Sequence, residues 1–158
     1  KEELNRAKIA QLEGVLQTLP WVATIDNFQH WIYQNPTHTT EERYEAWERI
    51  NSKFSGTLTD WNGWEEAKRN AWQRQLHLYE VPFYYIEYGM AQLGAVAVWR
   101  NYKTNPNKAI AEYKAALKLG YTKSIGDIYE TAGIKFDFSP EYVKELIDFV
   151  WSELAKLK

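Results

Sequence analysis

The residues best suited to chemistry lie between positions 75 and 88, in the run QLHLYEVPFYYIEY. This run holds one histidine, four tyrosines and two glutamates, distributed on both sides of Pro82. A break in the chain beside a rigid helix can direct a side chain into a cleft. We therefore take His77 and the neighbouring tyrosines as the candidate functional groups.

Two of these tyrosines are spaced so that they could act together. On a helix that follows Pro82, Tyr84 and Tyr88 are four residues apart and share a face, and Tyr85 points partly the same way. Tyrosine hydroxyls are protonated at neutral pH, so a pair of them suits an oxygen that gains negative charge, where one donor contributes about 3 to 4 kcal/mol. The composition alone favours a simpler interpretation, in which these rings are core residues whose hydroxyls find partners at the core edge.

The other histidines are weaker candidates. Asp26 and His30 are four residues apart and could share a metal or a hydrogen bond, although a pair at the edge of the core is the commoner arrangement. His38 lies in a loop and could contact a ligand. No histidine begins a His-Glu-x-x-His zinc motif, and cysteine is absent, so we expect no metal ligands in this chain.

Proline, glycine and capping residues divide the chain into amphipathic segments, with helix breaks expected at Pro20 and Pro82. The predicted helices cover residues 2–19, 21–33, 40–54, 64–78, 83–102, 106–120 and 124–131, and the segment from 139 to the C-terminus. Only residues 133–138 show any strand-like alternation. The predicted fold class is all-α, a multi-helix array that forms a single helical domain over residues 1–158.

Composition excludes several classes of protein. Lysine and arginine total 19 against 21 acidic residues, which gives a net charge of −2, and no basic run is present. This balance argues against nucleic acid or an anionic membrane surface as a partner. The longest apolar stretch, Met90–Trp99, is shorter than the roughly 20 residues of a membrane span. With no visible signal peptide, we expect a cytoplasmic protein.

One segment suggests a helical repeat. Residues 106–119 resemble half of a tetratricopeptide unit, but the pattern does not recur at a spacing of about 34 residues, and such repeats need at least three copies. We therefore favour two ordinary packed helices here.

Several stretches together resemble one known family. They are LPWVATID at 19–26, FQHWIY at 28–33, HLYEVPFYYIEYGMAQLGA at 77–95 and the tail around 129–139. On these residues the chain resembles the C-terminal part of oligoendopeptidase F-like zinc peptidases, within the thimet oligopeptidase family. The resemblance covers nearly the whole chain, and the stretch at 77–95 is the most specific.

The resemblance implies a mostly helical peptidase that encloses a deep channel and hydrolyses short peptides. In that family, two histidines of a His-Glu-x-x-His helix and a later glutamate hold zinc, and the motif glutamate activates a zinc-bound water. Downstream His and Tyr residues bind the substrate and stabilise the oxyanion. By motif position, His77, Tyr84 and Tyr88 resemble the catalytic groups. His77, Tyr79 and Tyr85 resemble the substrate-binding groups.

The zinc ligands and the catalytic glutamate would all lie upstream of Lys1. We therefore expect zinc only in the intact parent enzyme, the upstream catalytic part of the same protein as a partner, and no peptide hydrolysis by this chain alone. A first residue other than Met fits such a fragment. Two alternatives stay open: a stand-alone helical module that binds peptide or carbohydrate through its many aromatic residues, and a structural bundle without a ligand.

Overall fold

The computed structural model describes residues 2–157, and within that range every regular element is helical. The α-helices are α1 (Glu2–Gln34), α2 (Thr40–Phe54), α3 (Glu65–Arg69), α4 (His77–Glu80), α5 (Ile86–Thr104), α6 (Pro106–Leu119), α7 (Ile125–Thr131) and α8 (Pro140–Ala155), with a 3₁₀ helix at Ala71–Arg74. The predicted all-α class is confirmed. Residues 133–138, the one candidate strand, do not form one.

Local capping chemistry sets the beginnings of four helices. Thr39 and Glu42 form a capping box at α2, in which each side chain accepts from the other residue's backbone N–H. Asn105, Ser124 and Ser139 accept hydrogen bonds from the first turns of α6, α7 and α8. These starts agree with the sequence prediction to within one residue.

The predicted break at Pro20 is wrong, because α1 runs through this proline without interruption. Proline lacks the N–H that would bond the carbonyl four residues earlier, and its interior position costs about 3 kcal/mol. Burial offsets that cost, since Val22, Ile25 and Phe28 are nearly or fully buried just beyond it. The Thr24 hydroxyl also donates to the Pro20 carbonyl at 2.8 Å.

The single helix predicted over 64–78 is also wrong, because this segment forms α3, the 3₁₀ helix and α4 in succession. Asn70 ends α3, and its side-chain amide donates to the Glu66 carbonyl at 2.9 Å, competing with helix propagation. The indole of Trp47 donates to the Lys68 carbonyl at 2.9 Å, which ties down the same turn. The 3₁₀ helix then buries Trp72.

The chain divides into two compact units. One contains residues 17–89, and the other contains the described residues up to Leu16 and from Met90 onwards. The core of the 17–89 unit is a cluster of Ile25, Phe28, Trp47, Ile50 and Trp72. Whether residues 1–158 fold as a single domain stays a prediction.

The other unit has its own apolar interior. Leu146 and Val150 of α8 are fully buried, and Val96 and Ala97 of α5 nearly so. In the same unit, the Tyr129 hydroxyl donates to the Met90 carbonyl at 3.1 Å. Among residues 2–157, we find no helical stretch with both the length and the hydropathy of a membrane span.

Candidate functional site

The run from Gln75 to Tyr88 is positioned by a sharp turn between α4 and the first residues of α5. α4 ends at Glu80, Pro82 follows, and α5 begins at Ile86. Phe83 lies between them with a φ of 60°, a left-handed conformation that is strained for a residue with a large side chain. The predicted helix start at 83 is therefore wrong by three residues, since Phe83 cannot be helical in this turn.

A buried glutamine of α1 holds this strained turn in place. Phe83 donates its backbone N–H to the Gln29 side-chain oxygen at 2.8 Å, and Gln29 is only 1% exposed. The Phe83 ring lies 4.9 Å from both the His30 and Tyr33 rings, measured between centroids. The turn is thus fixed by a residue of α1 that lies 54 positions before Phe83 in the sequence.

Beyond this turn, four rings meet in what we call the His77 cluster, formed by His77, Tyr84, Tyr85 and Tyr88. The imidazole centroid is 5.0 Å from Tyr85, 5.5 Å from Tyr88 and 6.3 Å from Tyr84. Tyr88 is also 5.7 Å from Tyr84 and 5.1 Å from Tyr85. Tyr84 precedes α5, so it reaches Tyr88 from the turn and not from the shared helix face that we predicted.

The His77 cluster is open to solvent on the side of two tyrosines. Tyr84 is 42% exposed and Tyr88 43% exposed, whereas Tyr85 packs against the buried core cluster. Exposed phenols next to an imidazole can donate hydrogen bonds to an incoming ligand oxygen. The structure therefore brings four of the five candidate residues together with an accessible polar surface.

Both ring nitrogens of His77 have hydrogen-bond partners. His77 Nε2 lies 3.0 Å from the Tyr88 hydroxyl, and His77 Nδ1 lies 2.7 Å from the amide nitrogen of Gln75. The Gln75 side-chain oxygen in turn accepts from the indole N–H of Trp21 at 3.3 Å. The imidazole is therefore held in one orientation between an amide and a phenol.

Tyr79, the fifth candidate, lies against a different aromatic residue. Its ring stacks on Trp72 with centroids 6.1 Å apart. Burial raises the pKa of the Tyr79 hydroxyl above its ordinary value, and the positive charge of Arg43 partly opposes that rise. The hydroxyl is thus protonated at neutral pH, although the structure does not place it in the His77 cluster.

His38 holds the turn between α1 and α2. The Arg43 guanidinium donates from Nε to His38 Nε2 at 2.7 Å, and His38 Nδ1 bonds the Asn35 carbonyl. The ring also packs on Trp31 at 5.0 Å. Both nitrogens of His38 are therefore engaged within the turn itself.

Asp26 and His30 form the pair that the sequence placed on one helix face. Asp26 Oδ2 is 3.6 Å from His30 Nε2, with the carboxylate largely buried and the imidazole half exposed. Burial raises the pKa of Asp26, and the adjacent His30 partly opposes this. The geometry is that of a pair at the core edge.

No zinc site can be assembled from the residues that the structure describes. Over residues 2–157, no three His, Cys, Asp or Glu side chains come close enough to share a metal ion. The Asp26–His30 pair supplies two potential ligands at most. The side chains that the structure describes therefore do not supply a donor set that fits a zinc ion.

Three residues that support the site were not identified as such in the sequence. Gln29 carried a signal, because it is a polar residue in the middle of the apolar pattern of α1. Nothing in the sequence distinguished Trp21 or Gln75, because a tryptophan in an aromatic-rich chain and a glutamine near a predicted helix end are both common. Their pairing depends on tertiary structure.

Two solved structures are similar to this chain in fold. A chain named oligoendopeptidase F superposes with a TM-score of 0.84 at 28% identity, covering 98% of this chain and 27% of that one. An oligoendopeptidase F from Bacillus anthracis strain Ames superposes with a TM-score of 0.72 at 27% identity, covering 94% of this chain and 23% of that one. This chain thus spans about a quarter of the length of each.

The all-helical array has the fold of about a quarter of each oligoendopeptidase F structure. Residues 1–147 also match the family model of peptidase family M3. The chain belongs to peptidase family M3, and the resemblance stated from the sequence is confirmed. Among curated proteins, none matches this chain.

Proposed function

We propose that this chain is the C-terminal helical region of a zinc-dependent oligopeptidase, and that its His77 cluster binds a peptide carbonyl group. The observation that carries the proposal is the contact of His77 Nε2 with the Tyr88 hydroxyl at 3.0 Å, in a group of three phenols of which Tyr84 and Tyr88 are exposed. Membership of peptidase family M3 supports a peptide substrate and a hydrolase as the class of protein.

Each candidate side chain has a distinct proposed role. The hydroxyls of Tyr84 and Tyr88 donate to the carbonyl oxygen of the scissile bond as it gains negative charge. His77 orients Tyr88 and contacts the substrate, and Tyr85 forms the wall of the subsite. Tyr79 binds a more distant part of the peptide, since it lies apart from the cluster on Trp72.

The metal and its ligands belong to the upstream part of the proposed parent enzyme. M3 peptidases in general depend on zinc, and no set of described side chains here fits that ion. The partial coverage of both solved structures supports the remainder of the same protein as the partner of this chain. A cytoplasmic location stays a prediction.

Replacing the proposed oxyanion donors tests the proposal directly. In the full-length gene product, Tyr88→Phe and Tyr84→Phe are each expected to lower kcat for a short fluorogenic peptide by about tenfold or more, with a smaller effect on KM. The reason is that a phenol bound to the transition-state oxygen loses its donor while the ring keeps its packing.

Tyr113→Phe is the matched control, because Tyr113 is 47% exposed and lies on α6, outside the His77 cluster. Its kcat should equal that of the unmodified enzyme. Unchanged turnover in both Tyr84→Phe and Tyr88→Phe would remove the oxyanion role from these residues.

A further inference from the structure

Four side chains of the 17–89 unit form a continuous line of hydrogen bonds that ends at the His77 cluster. Trp21 Nε1 is 3.3 Å from Gln75 Oε1, Gln75 Nε2 is 2.7 Å from His77 Nδ1, and His77 Nε2 is 3.0 Å from the Tyr88 hydroxyl. Three of these four groups can either donate or accept at the contacting position, depending on rotation or tautomer. The indole of Trp21 cannot, because its N–H only donates.

This one fixed donor determines the direction of every bond in the line. Because Trp21 donates, the Gln75 oxygen must face it, and the Gln75 amide nitrogen must face His77. An amide NH₂ has no lone pair to offer, so His77 Nδ1 must be the acceptor. The neutral imidazole therefore carries its hydrogen on Nε2 and donates it to the Tyr88 oxygen.

The opposite direction of hydrogen bonding leaves the contact between Gln75 and Trp21 without an acceptor. If Tyr88 donated to His77 Nε2, then Nδ1–H would donate to Gln75 and require the amide oxygen on that side. The Gln75 NH₂ group would then face the Trp21 N–H, two donors without an acceptor between them, in a partly buried position. An unmade bond of this kind costs about 1–3 kcal/mol, which corresponds to a preference of roughly 5-fold to 150-fold for the first arrangement.

We propose that Trp21 and Gln75 are positioning residues that hold His77 in its Nε2–H tautomer and so leave the Tyr88 O–H hydrogen free to point outward. A phenol oxygen that accepts from His77 keeps its own hydrogen for another acceptor. The identification of that acceptor as a peptide carbonyl rests on the proposed function. The tautomer of His77 and its dependence on Trp21 and Gln75 do not rest on the proposed function.

Packing holds the first two members of the line in position. The Trp21 ring meets Trp47 edge to face at 6.0 Å, and the Arg74 guanidinium lies 4.9 Å from the Trp21 ring centroid. Gln75 ends the 3₁₀ helix, and its backbone N–H donates to the Trp72 carbonyl at 3.0 Å. The indole and the amide are thus anchored independently of any ligand, so the tautomer is set before a substrate arrives.

The experiment is a determination of the His77 tautomer by ¹⁵N NMR on the 158-residue chain labelled at histidine, with His30→Gln and His38→Gln variants assigning the signals. At a pH where the imidazoles are neutral, His77 is expected as the Nε2–H form. Gln75→Glu replaces the donating NH₂ by a carboxylate oxygen, which can only accept. His77 is then expected to switch to the Nδ1–H form.

Gln73→Glu is the matched control, because it introduces the same charge two residues away. Gln73 is exposed, and its amide donates to Asn70 instead of to the His77 line. The Nε2–H form should persist in this variant. An Nδ1–H form in the unmodified chain would overturn the proposal. So would a tautomer that is the same in the Gln75→Glu and Gln73→Glu variants.

A second pair of variants tests the source of the direction. Trp21→Phe keeps an aromatic ring against Trp47 but removes the N–H, so the Gln75 amide can turn over and His77 is expected to populate both tautomers. Trp64→Phe, at a tryptophan that is 67% exposed, should leave a single form. A single Nε2–H form in Trp21→Phe would remove Trp21 from the proposal.

These measurements use no peptide and no zinc. A full-length product without peptidase activity would contradict the proposed function and leave the tautomer result intact. A tautomer indifferent to Gln75 would contradict this inference and leave the peptidase proposal intact.

Discussion

At the scale of single residues, the environment of each ionisable or polar group decides what it can do. His38 and His77 are both hydrogen-bonded through their two ring nitrogens, yet their surroundings differ. His38 bonds within its own turn, to Asn35 and Arg43. His77 bonds to an exposed phenol. Only the second arrangement presents a donor to solvent, and this is why the His77 cluster, and not His38, is the candidate site.

Asp26 gives a prediction of pH dependence. Because burial raises its pKa above the ordinary value of 3.8, the folded chain holds the carboxyl proton more tightly than the unfolded chain does. The resulting stability is present at acid pH and is lost as the pH rises through the folded pKa. Asp26→Asn should lack this loss, so its free energy of unfolding should rise relative to that of the unmodified chain as the pH increases from 3.8 through the folded pKa.

Urea unfolding of the 158-residue chain across that pH range measures the effect. Asp148→Asn serves as the control, since the Asp148 side chain is 60% exposed and pairs with Lys144 on the surface of α8. A free-energy difference for Asp26→Asn that stays constant with pH would show that burial of this carboxylate does not contribute.

Sequence reasoning identified most of the His77 cluster because the information is local. His77, Tyr84, Tyr85 and Tyr88 lie within twelve positions, and a proline-containing turn between helices brings such groups together. It did not identify Trp21 or Gln75 as supports. Those contacts form only when segments 54 residues apart pack together, and residue type and spacing do not encode that pairing.

At the scale of helices, the same distinction separates correct from wrong predictions. The starts of α2, α6, α7 and α8 were predictable, because each depends on a side chain within three residues of the helix end. The uninterrupted course of α1 through Pro20 was not, because the compensating burial of Ile25 and Phe28 comes from tertiary packing. The fragmentation of residues 64–78 similarly depends on the Trp47 indole.

Two helical glycines give a prediction about packing. A Cβ on Gly94 of α5 would lie 2.9 Å from the Tyr129 hydroxyl, which is anchored on the Met90 carbonyl, whereas a Cβ on Gly14 of α1 would meet open space. Gly14→Ala should stabilise the chain by up to about 1 kcal/mol through helix propensity. Gly94→Ala should destabilise it by about 1–3 kcal/mol through overpacking.

Measured free energies of unfolding of both variants test this difference in stability. A third variant tests whether overpacking against Tyr129 is the cause. Gly94→Ala combined with Tyr129→Phe removes the oxygen nearest to the added methyl group and should recover part of the loss. Equal stabilisation by both alanines would mean that α5 and Tyr129 can separate at no cost.

At the scale of the whole molecule, this chain has a recognisable family fold, and within residues 2–157 no three potential ligand side chains come together to hold a metal. The chain divides into two compact units and spans about a quarter of the length of each oligoendopeptidase F structure. Composition and helical periodicity predicted the all-α class, since each helix carries its own amphipathic pattern. Composition and periodicity could not predict metal chemistry, because no three potential ligand side chains among the described residues lie close enough to bind a metal ion.

Metal content provides a prediction at this scale. The reading frame upstream of Lys1 should encode a His-Glu-x-x-His helix, and the full-length product should retain about one zinc ion per molecule after dialysis. The 158-residue chain, treated in the same way, should retain none. Elemental analysis of both proteins makes the comparison, and stoichiometric zinc on the short chain would contradict the assignment of the ligands to the upstream part.

Two long-range hydrogen bonds hold the His77 cluster and the turn beside it, and their spacing in the sequence affects how the chain folds. The bond from Trp21 to Gln75 and the bond from Phe83 to Gln29 each join residues 54 positions apart. Contacts so distant in sequence form only after the chain has closed a large loop, which is slow compared with helix formation. An emerging polypeptide would therefore possess every phenol and imidazole of the cluster well before it possesses their arrangement, and a peptide of residues 75–88 alone would lack both of the bonds that hold that arrangement.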